Sequence, residues 1–433
     1  MATLSVKGEA SLARIAAGIV SAPASKAVSD GLRYVARQPI LDLRGHVYGY
    51  ELLYRSGPGA VGFSGDGDAA TRMVLDNSVV FGLDRLTGGV PMFINCTQEA
   101  LLGGLVKVLP PEHTVLELLE TLEPTAALVR VCLELKARGF RLAMDDFAWS
   151  PKWQPLLDLA DYVKVDLTLT TSQQRAELKS KIVRKTTKLI MERVETQDDF
   201  ALAKKEGFTL FQGYYFCRPV MMEHRDIPAN RLIHLEILRA LLKVPLNIKQ
   251  ISALIKRDPS LTYRLLRMVN SPLYATRKII SSIQDALVLV GDEMFRRIAM
   301  LAAASELRGN RPSELLRMAF LRGRFCELAA AVTGRDPTEQ YLLGILSLLP
   351  AMLNVPMESV ATALPLRYDI REALLGQQNH ERAVLAWLIY YEMGMWNDCD
   401  RLARTADLPE DRMVQLYSEA LIWAEVNMSL AAK

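Results

Sequence analysis

The sequence predicts an α/β half followed by an all-α half. From about Tyr34 to Pro219, short apolar segments rich in β-branched residues alternate with stretches of helical composition, the pattern of repeated βα units. From about Ala229 to the end, apolar residues recur at helical spacing and no segment reads as a strand. A third observation concerns chemistry: nearly every strand of the first half places a carboxylate, an amide or an ammonium near one end.

The clearest strands are Met92–Thr97, Val115–Glu120, Leu142–Phe147, Tyr162–Leu167, Leu189–Glu195 and Leu210–Phe216. Between them, Ala126–Arg138 and Asp198–Glu206 have helical composition, with Gly139 and Gly207 where a helix C-cap wants glycine. Such alternation fits either a doubly wound parallel sheet or a (β/α) barrel. No GxGxxG or Walker-type loop follows any of these strands, which disfavours a dinucleotide or P-loop fold.

In the second half, Ile248, Ile251, Leu254 and Ile255 mark one helix face. Leu261, Leu265, Met268 and Val269 mark the next, and Ile283, Ala286, Leu287 and Val290 a third that Gly291 ends. Asp258-Pro259 starts a helix and Asn270-Ser271-Pro272 stops it. The expected organisation is an N-terminal extension over 1–33, flexible or helical in part, an α/β domain over 34–220, a junction over 221–230 and an all-α domain over 231–433.

Composition bounds the function. The 433 residues suffice for two or three domains, and a chain 50% hydrophobic and 23% charged is neither disordered, collagen-like nor a disulfide mini-protein. Mean hydropathy is +0.11. A net charge of +3 lacks the basic excess of a sequence-independent nucleic-acid binder. The five cysteines, Cys96, Cys132, Cys217, Cys326 and Cys399, are odd in number, scattered and without CxxC, which reads as buried thiols in a reducing compartment. The five histidines form no HxxxH pair and lie at no zinc spacing to a cysteine. The longest apolar run, Leu342–Leu353, contains Ser347 and Pro350 and suits a buried helix rather than a membrane span. Arg14 followed by Ile15–Ala24 is short and alanine-rich for an export signal, so the expected location is cytoplasmic.

The polar strand-end residues are Glu51, Asn95, Glu117, Glu120, Asp145, Asp146, Lys164, Asp166, Glu192, Glu195 and Gln212. In a (β/α) barrel, reactive groups sit at the carboxyl ends of the strands. Oxygen-rich clusters of this kind bind hard divalent cations, two of which can clamp a phosphodiester for attack by water. Adjacent Asp145 and Asp146 cannot both point inward from a regular strand.

Arg37-Gln38-Pro39-Ile40 followed by Gly49-Tyr50-Glu51-Leu52-Leu53-Tyr54-Arg55 resembles the opening of an EAL domain. The similarity continues through Phe93-Ile94-Asn95, Leu116-Glu117-Leu118-Leu119-Glu120, Met144-Asp145-Asp146-Phe147, Lys164-Val165-Asp166, Glu192-Arg193-Val194-Glu195-Thr196 and Gln212-Gly213-Tyr214. That family is known for cleaving the bacterial second messenger cyclic di-GMP. The resemblance implies a (β/α) barrel in which Glu51, Asn95, Glu117, Asp145 and Asp146 hold Mg²⁺ or Mn²⁺. Lys164 and Glu192 would position and activate water, Gln212 and Glu195 would support the site, and Gln38 and Arg55 would contact the nucleotide.

Two departures stand out. Leu52 replaces the family's alanine and could crowd the site. After Asp145-Asp146-Phe147 the family pattern is rich in glycine and serine, whereas this chain has Ala148-Trp149-Ser150-Pro151-Lys152-Trp153.

The stretch Asn247–Gly291 resembles an HDOD domain, a relative of the HD phosphohydrolases. An HD hydrolase needs an adjacent His-Asp pair for its metals, but this half has only His234 and His380, neither followed by aspartate, and the corresponding helix reads Leu343-Gly344-Ile345-Leu346-Ser347-Leu348-Leu349. The helical half is therefore expected to use no cofactor and to serve as an output module for a protein partner.

The reading that follows is a bacterial signalling protein, with homodimerisation open. Its degenerate EAL domain binds, or formerly bound, cyclic di-GMP. The alternatives are an active metal-dependent cyclic di-GMP phosphodiesterase and a nucleotide-independent scaffold. Trp149, Trp153, Trp387 and Trp396 read as packing residues, Tyr390, Tyr391, Met393 and Met395 as core or interface, and Arg296-Arg297 with Arg308 and Arg311 as a solvated face.

Overall fold

The computed structural model describes residues 34–55, 89–217, 229–243, 245–270, 280, 282–307 and 312–432. The expected extension over 1–33 lies outside the described residues, as does the junction up to the start of helix Ala229–Leu241.

Eight strands form a closed barrel in sequential order: β1 (Tyr34–Asp42), β2 (Val47–Arg55), β3 (Met92–Cys96), β4 (Thr114–Leu118), β5 (Arg141–Met144), β6 (Tyr162–Asp166), β7 (Lys188–Glu192) and β8 (Leu210–Gln212). β3 to β8 pair in parallel, as the repeated βα units require, whereas β1, which is not among the strands legible in the sequence, runs antiparallel to both β2 and β8. The reason is local: β1 and β2 are joined by a turn over 43–46, too short for a parallel crossover. Pro39, which argues against a strand in sequence, is tolerated because β8 pairs only with Ile40, Leu41 and Asp42.

The barrel interior is built in layers two residues apart. Ile40, Phe93, Val115, Ala143, Tyr162, Ile190 and Leu210 form an apolar plug. Two positions towards the mouth stand Gln38, Asn95, Glu117, Lys164, Glu192 and Gln212 on the same strands and Asp145 just past the end of β5, joined from β2 by Glu51. The period of two puts every one of them on the inner face.

The crossover helices are set by polar caps. Thr125 accepts from Leu128 N, and Thr171 with Gln174 and Thr196 with Asp199 form capping boxes. Gly139 and Gly207 follow two of these helices with positive φ, as expected.

In the second half, Asn247, Asp258 and Ser282 cap the three helices expected from periodicity, Ile248–Ile255, Pro259–Val269 and Ile283–Val290. Helix Ser313–Thr333 is buried along most of its length and packs on Pro337–Leu346 and Glu410–Ala432. Trp387 stacks on Phe325 at 5.8 Å. Trp153, Trp387 and Trp396 are buried and Trp149 is half-buried, as packing residues should be.

The expected solvated arginine face is corrected at Arg296, which is buried and donates to the Leu241 and Lys243 carbonyls, closing the end of another helix. Arg297 pairs with Glu327 at 2.5 Å, while Arg308 and Arg311 lie outside the described residues. Four cysteines are buried and Cys217 is half-buried, and none forms a disulfide.

The two halves are not beads on a string. One continuous apolar core runs from the helix-facing side of the barrel into the helical half. Helix Ser313–Thr333 runs up the outside of the β1–β2 hairpin. Pro312 at its start sits against Gly45 in the hairpin turn, Glu314 meets Tyr50, and Met318 and Leu321 reach the barrel mouth.

Candidate functional site

Lys164 is the centre of the polar layer. Its ammonium lies 2.9 Å from Glu51, 2.8 Å from Glu117, 2.7 Å from Asp145 and 3.0 Å from Glu192, and the side chain is almost fully buried. Gln212 Nε2 donates to Glu51 Oε2 at 2.7 Å and to Gln38 Oε1 at 2.8 Å, and Asn95 Nδ2 reaches Glu51 Oε1 at 3.3 Å. Eight of the candidate site residues, Gln38, Glu51, Asn95, Glu117, Asp145, Lys164, Glu192 and Gln212, are therefore brought together.

One ammonium faces four largely buried carboxylates, so the electrostatics are lopsided. Burial and the neighbouring Glu51 push the Glu117 carboxyl well above the ordinary range, although Lys164 opposes this. Burial does the same to Glu192 and, less strongly, to Asp145. Glu51 goes the other way: burial would raise it, but Lys164, Gln212 and Asn95 together hold it below the usual value. Burial disfavours the Lys164 charge too, but Asp145, Glu117, Glu192 and Glu51 outweigh that and keep it firmly protonated.

Asp146 resolves the strand-parity problem. β5 ends at Met144, and Asp146 adopts φ +42°, which turns it out to the rim while Asp145 faces the cluster. Opposite it, Arg193 also has positive φ and pairs with buried Asp166 at 2.8 Å. Asp166 is committed locally, accepting from the Thr168 and Leu169 backbone and the Thr168 hydroxyl. Gly213, directly after Gln212, needs to be glycine: at φ +141° an added Cβ would lie 2.2 Å from the Val194 carbonyl oxygen.

Glu195 lines the mouth beside the cluster rather than joining it, and exposed Glu120 stands beyond the end of β4. Arg55 ends β2, and its side chain lies outside the described residues.

The two sequence departures are placed differently. Leu52 does not crowd the site: it follows inward-facing Glu51 and is buried in the outer apolar layer with Ile94, its partner across β3. The 148–153 segment is built on aromatic packing. Phe147 and Trp153 meet edge to face at 6.0 Å, and Trp149 Nε1 donates to Gln154 at 3.0 Å.

The donor set suits a hard divalent cation in kind, being all oxygen. Asn95 Oδ1, Glu117 Oε2 and Glu192 Oε2 are buried and accept no hydrogen bond among the described residues. The carboxylates are nevertheless gathered around the ammonium, and among the described residues no group of three acidic, histidine or cysteine side chains is arranged to hold a metal ion.

Above the layer opens a cavity of about 600 Å³. Its floor is the polar layer, and part of its wall comes from the helical half, through Arg317, Met318, Leu321, Met393 and Met395. Sequence reasoning missed this contribution, apart from marking Met393 and Met395 as core or interface, because no local pattern marks a contact between residues hundreds of positions apart. No helix among the described residues is long and apolar enough to cross a membrane.

A barrel with this polar mouth, followed by a helical domain, matches known families in both halves. The EAL domain family matches residues 97–219 and the HDOD domain family residues 227–385. The chain belongs to the family of tandem EAL–HDOD proteins.

Among its relatives, the uncharacterised protein YuxH of Bacillus subtilis is 34% identical over 400 residues, covering 90% of this chain and 97% of that protein. The cyclic di-GMP phosphodiesterase CdgJ of Vibrio cholerae is 32% identical over 398 residues, covering 90% of this chain and 92% of that protein.

Similar solved structures include the calcium and cyclic di-GMP complex of Klebsiella pneumoniae BlrP1. It is 24% identical with a TM-score of 0.36, and the match covers 46% of this chain but only 58% of that one. The FimX EAL domain of Pseudomonas aeruginosa bound to cyclic di-GMP is 22% identical with a TM-score of 0.35, covering 45% of this chain and 93% of that one.

Proposed function

We propose that this chain is a cytoplasmic cyclic di-GMP phosphodiesterase whose helical half conveys the state of the site to a protein partner. The completeness of the inward polar layer carries the reading: each of the eight strands supplies the residue that the chemistry calls for. The name of the Vibrio cholerae relative supports it.

In this reading Glu51, Asn95, Glu117, Asp145 and Asp146 hold Mg²⁺ or Mn²⁺. Such ions supply Lewis acidity at the phosphate and lower the pKa of bound water. Loading requires the carboxylates to share or exchange the Lys164 ammonium that now gathers them. Lys164, kept protonated, donates and orients; it does not serve as a base. Glu192, 3.0 Å from Lys164 in the same layer, is the carboxylate placed to take the proton of the attacking water. Gln38, Arg55, Glu195 and Gln212 contact the dinucleotide or support its site.

A second reading, a cyclic di-GMP receptor without turnover, is favoured by one observation: the glycine-rich loop of the family is replaced by the aromatic-packed 148–153 segment.

The test has two parts. Calorimetric titration with cyclic di-GMP in Ca²⁺ reports binding, and a Mg²⁺ or Mn²⁺ assay for the linear dinucleotide reports turnover. Binding with turnover that Glu51→Ala abolishes supports the enzyme. Binding without turnover supports the receptor. A protein that binds no nucleotide in either assay is a scaffold, and both nucleotide readings fall.

A further inference from the structure

The β1–β2 hairpin has two faces with different duties. Its inner face presents Gln38 and Glu51 to the polar layer, and these residues are paired across the hairpin. Its outer face presents Arg37 and Tyr50, one residue before each of them, to the helical half; Tyr50 lies away from the cavity, whereas Arg37 and Glu314 also reach its wall.

Tyr50 Oη donates to Glu314 at 2.7 Å, across 264 residues of chain, and Arg37 Nη2 pairs with Glu425 at 2.8 Å. Arg37 lies over the Tyr50 ring at 4.4 Å. Arg317 closes the circuit, pairing with both Glu314 and Glu425. The result is a circuit of two arginines and two glutamates closed through Tyr50, with Arg37 and Glu314 buried and Arg317 and Glu425 half-buried, charge-balanced and spanning the domain boundary. Gly394, at φ +68°, lets the 393–395 turn seat against Leu53 at the mouth; an added Cβ would come within 2.7 Å of the leucine.

We propose that Tyr50 is a positioning residue through which the helical half sets the placement of Glu51, and of Gln38 paired with it, in the nucleotide site. A β-strand is stiff along its length, so anchoring Tyr50 anchors its neighbour on the opposite face. The helical half is then a working part of the site and not only its output. By reciprocity, a ligand that shifts Glu51 or Gln38 loosens or tightens the docking of the two halves by the same free energy. This rests on the reading of the polar layer as the nucleotide site.

The test uses the full chain, with cyclic di-GMP titrated calorimetrically in Ca²⁺. Tyr50→Phe and Glu314→Ala are each expected to weaken binding about tenfold, the scale of one lost hydrogen bond to a charged acceptor. Glu314→Gln keeps an acceptor for the tyrosine hydroxyl and is expected to stay within about threefold of wild type. Val384→Ala, deep in the helical core, is the control: it lowers the melting temperature and leaves affinity unchanged. Wild-type affinity in Tyr50→Phe and Glu314→Ala overturns the proposal. So does a Glu314→Gln variant as weak as Glu314→Ala, or an affinity that follows melting temperature in all variants.

If wild type binds no nucleotide, the functional reading fails, and the positioning claim is read from Mn²⁺ binding by electron paramagnetic resonance. The same ranking of variants supports it, and equal affinities or no Mn²⁺ binding overturn it.

Discussion

Lys164 Nζ lies 2.9 Å from Glu51 Oε2, although 113 residues separate them. The contact matters because the same ammonium serves Glu117, Asp145 and Glu192, and no other cation reaches the cluster among the described residues. A lysine in this place is a built-in counter-ion.

Lys164→Met should therefore strand buried carboxylates without compensation. A loss of about 3–5 kcal/mol is expected in metal-free buffer, the cost of breaking a buried charge pair from one side. Mg²⁺ or Mn²⁺ should restore more stability to the variant than it adds to wild type. Thermal unfolding in chelator and in metal checks this; identical melting temperatures in chelator would refute the counter-ion role.

Leu52→Ala, which installs the residue the family pattern carries there, tests the outward orientation of that side chain. It should cost about 2–5 kcal/mol of stability through the cavity it opens. Nucleotide affinity should not change, because the side chain packs with Ile94 outside the barrel interior. Tighter binding in the variant would mean that Leu52 obstructs the site after all.

Arg322 and Glu392 form a buried pair at 2.7 Å, close to Tyr214 at the end of the barrel. Glu392→Ala should destabilise by about 3–5 kcal/mol, while replacing both by methionine should recover most of that loss. Melting temperatures of the single and double variants decide it. A double variant as unstable as the single would show that the pair's polar surroundings, including Ser347 at 3.3 Å from Arg322, demand a charge there.

Acid should loosen the domain contact. Burial would raise the Glu425 carboxyl, but Arg37 and Arg317 hold it below its ordinary value. A carboxyl lowered on folding contributes stability above its unfolded pKa, about 4.3, and loses it as pH falls through the folded value. Glu425→Gln should thus melt lower than wild type near pH 7, and the gap should close below about pH 4. A gap independent of pH would argue against the ion pair.

Much of the candidate site was legible because a barrel strand reads in steps of two. Phe93 to Asn95, Val115 to Glu117, Tyr162 to Lys164 and Ile190 to Glu192 are each an apolar plug residue followed by a polar mouth residue on the same face. β1 was harder, since Pro39 interrupts the pattern and only its pairing limits explain why it is tolerated. Leu52 was misplaced because spacing gives alternation but not the face on which it starts. Arg296 looked solvated because nothing local announces the helix end that it closes.

Local order alone, then, determined the division into an α/β and an all-α half, the polar residue on each strand and the caps that start and stop the helices. These are properties of neighbouring residues, set by alternation, periodicity and side chains that reach their own backbone. The reversed direction of β1, the outward turn of Asp146 at the rim and the bracing of Tyr50 by Glu314 were decided only by the closed tertiary structure. Each depends on groups far apart in the chain, and their mutual placement follows from barrel closure and from the shared apolar core, which no stretch of sequence specifies by itself.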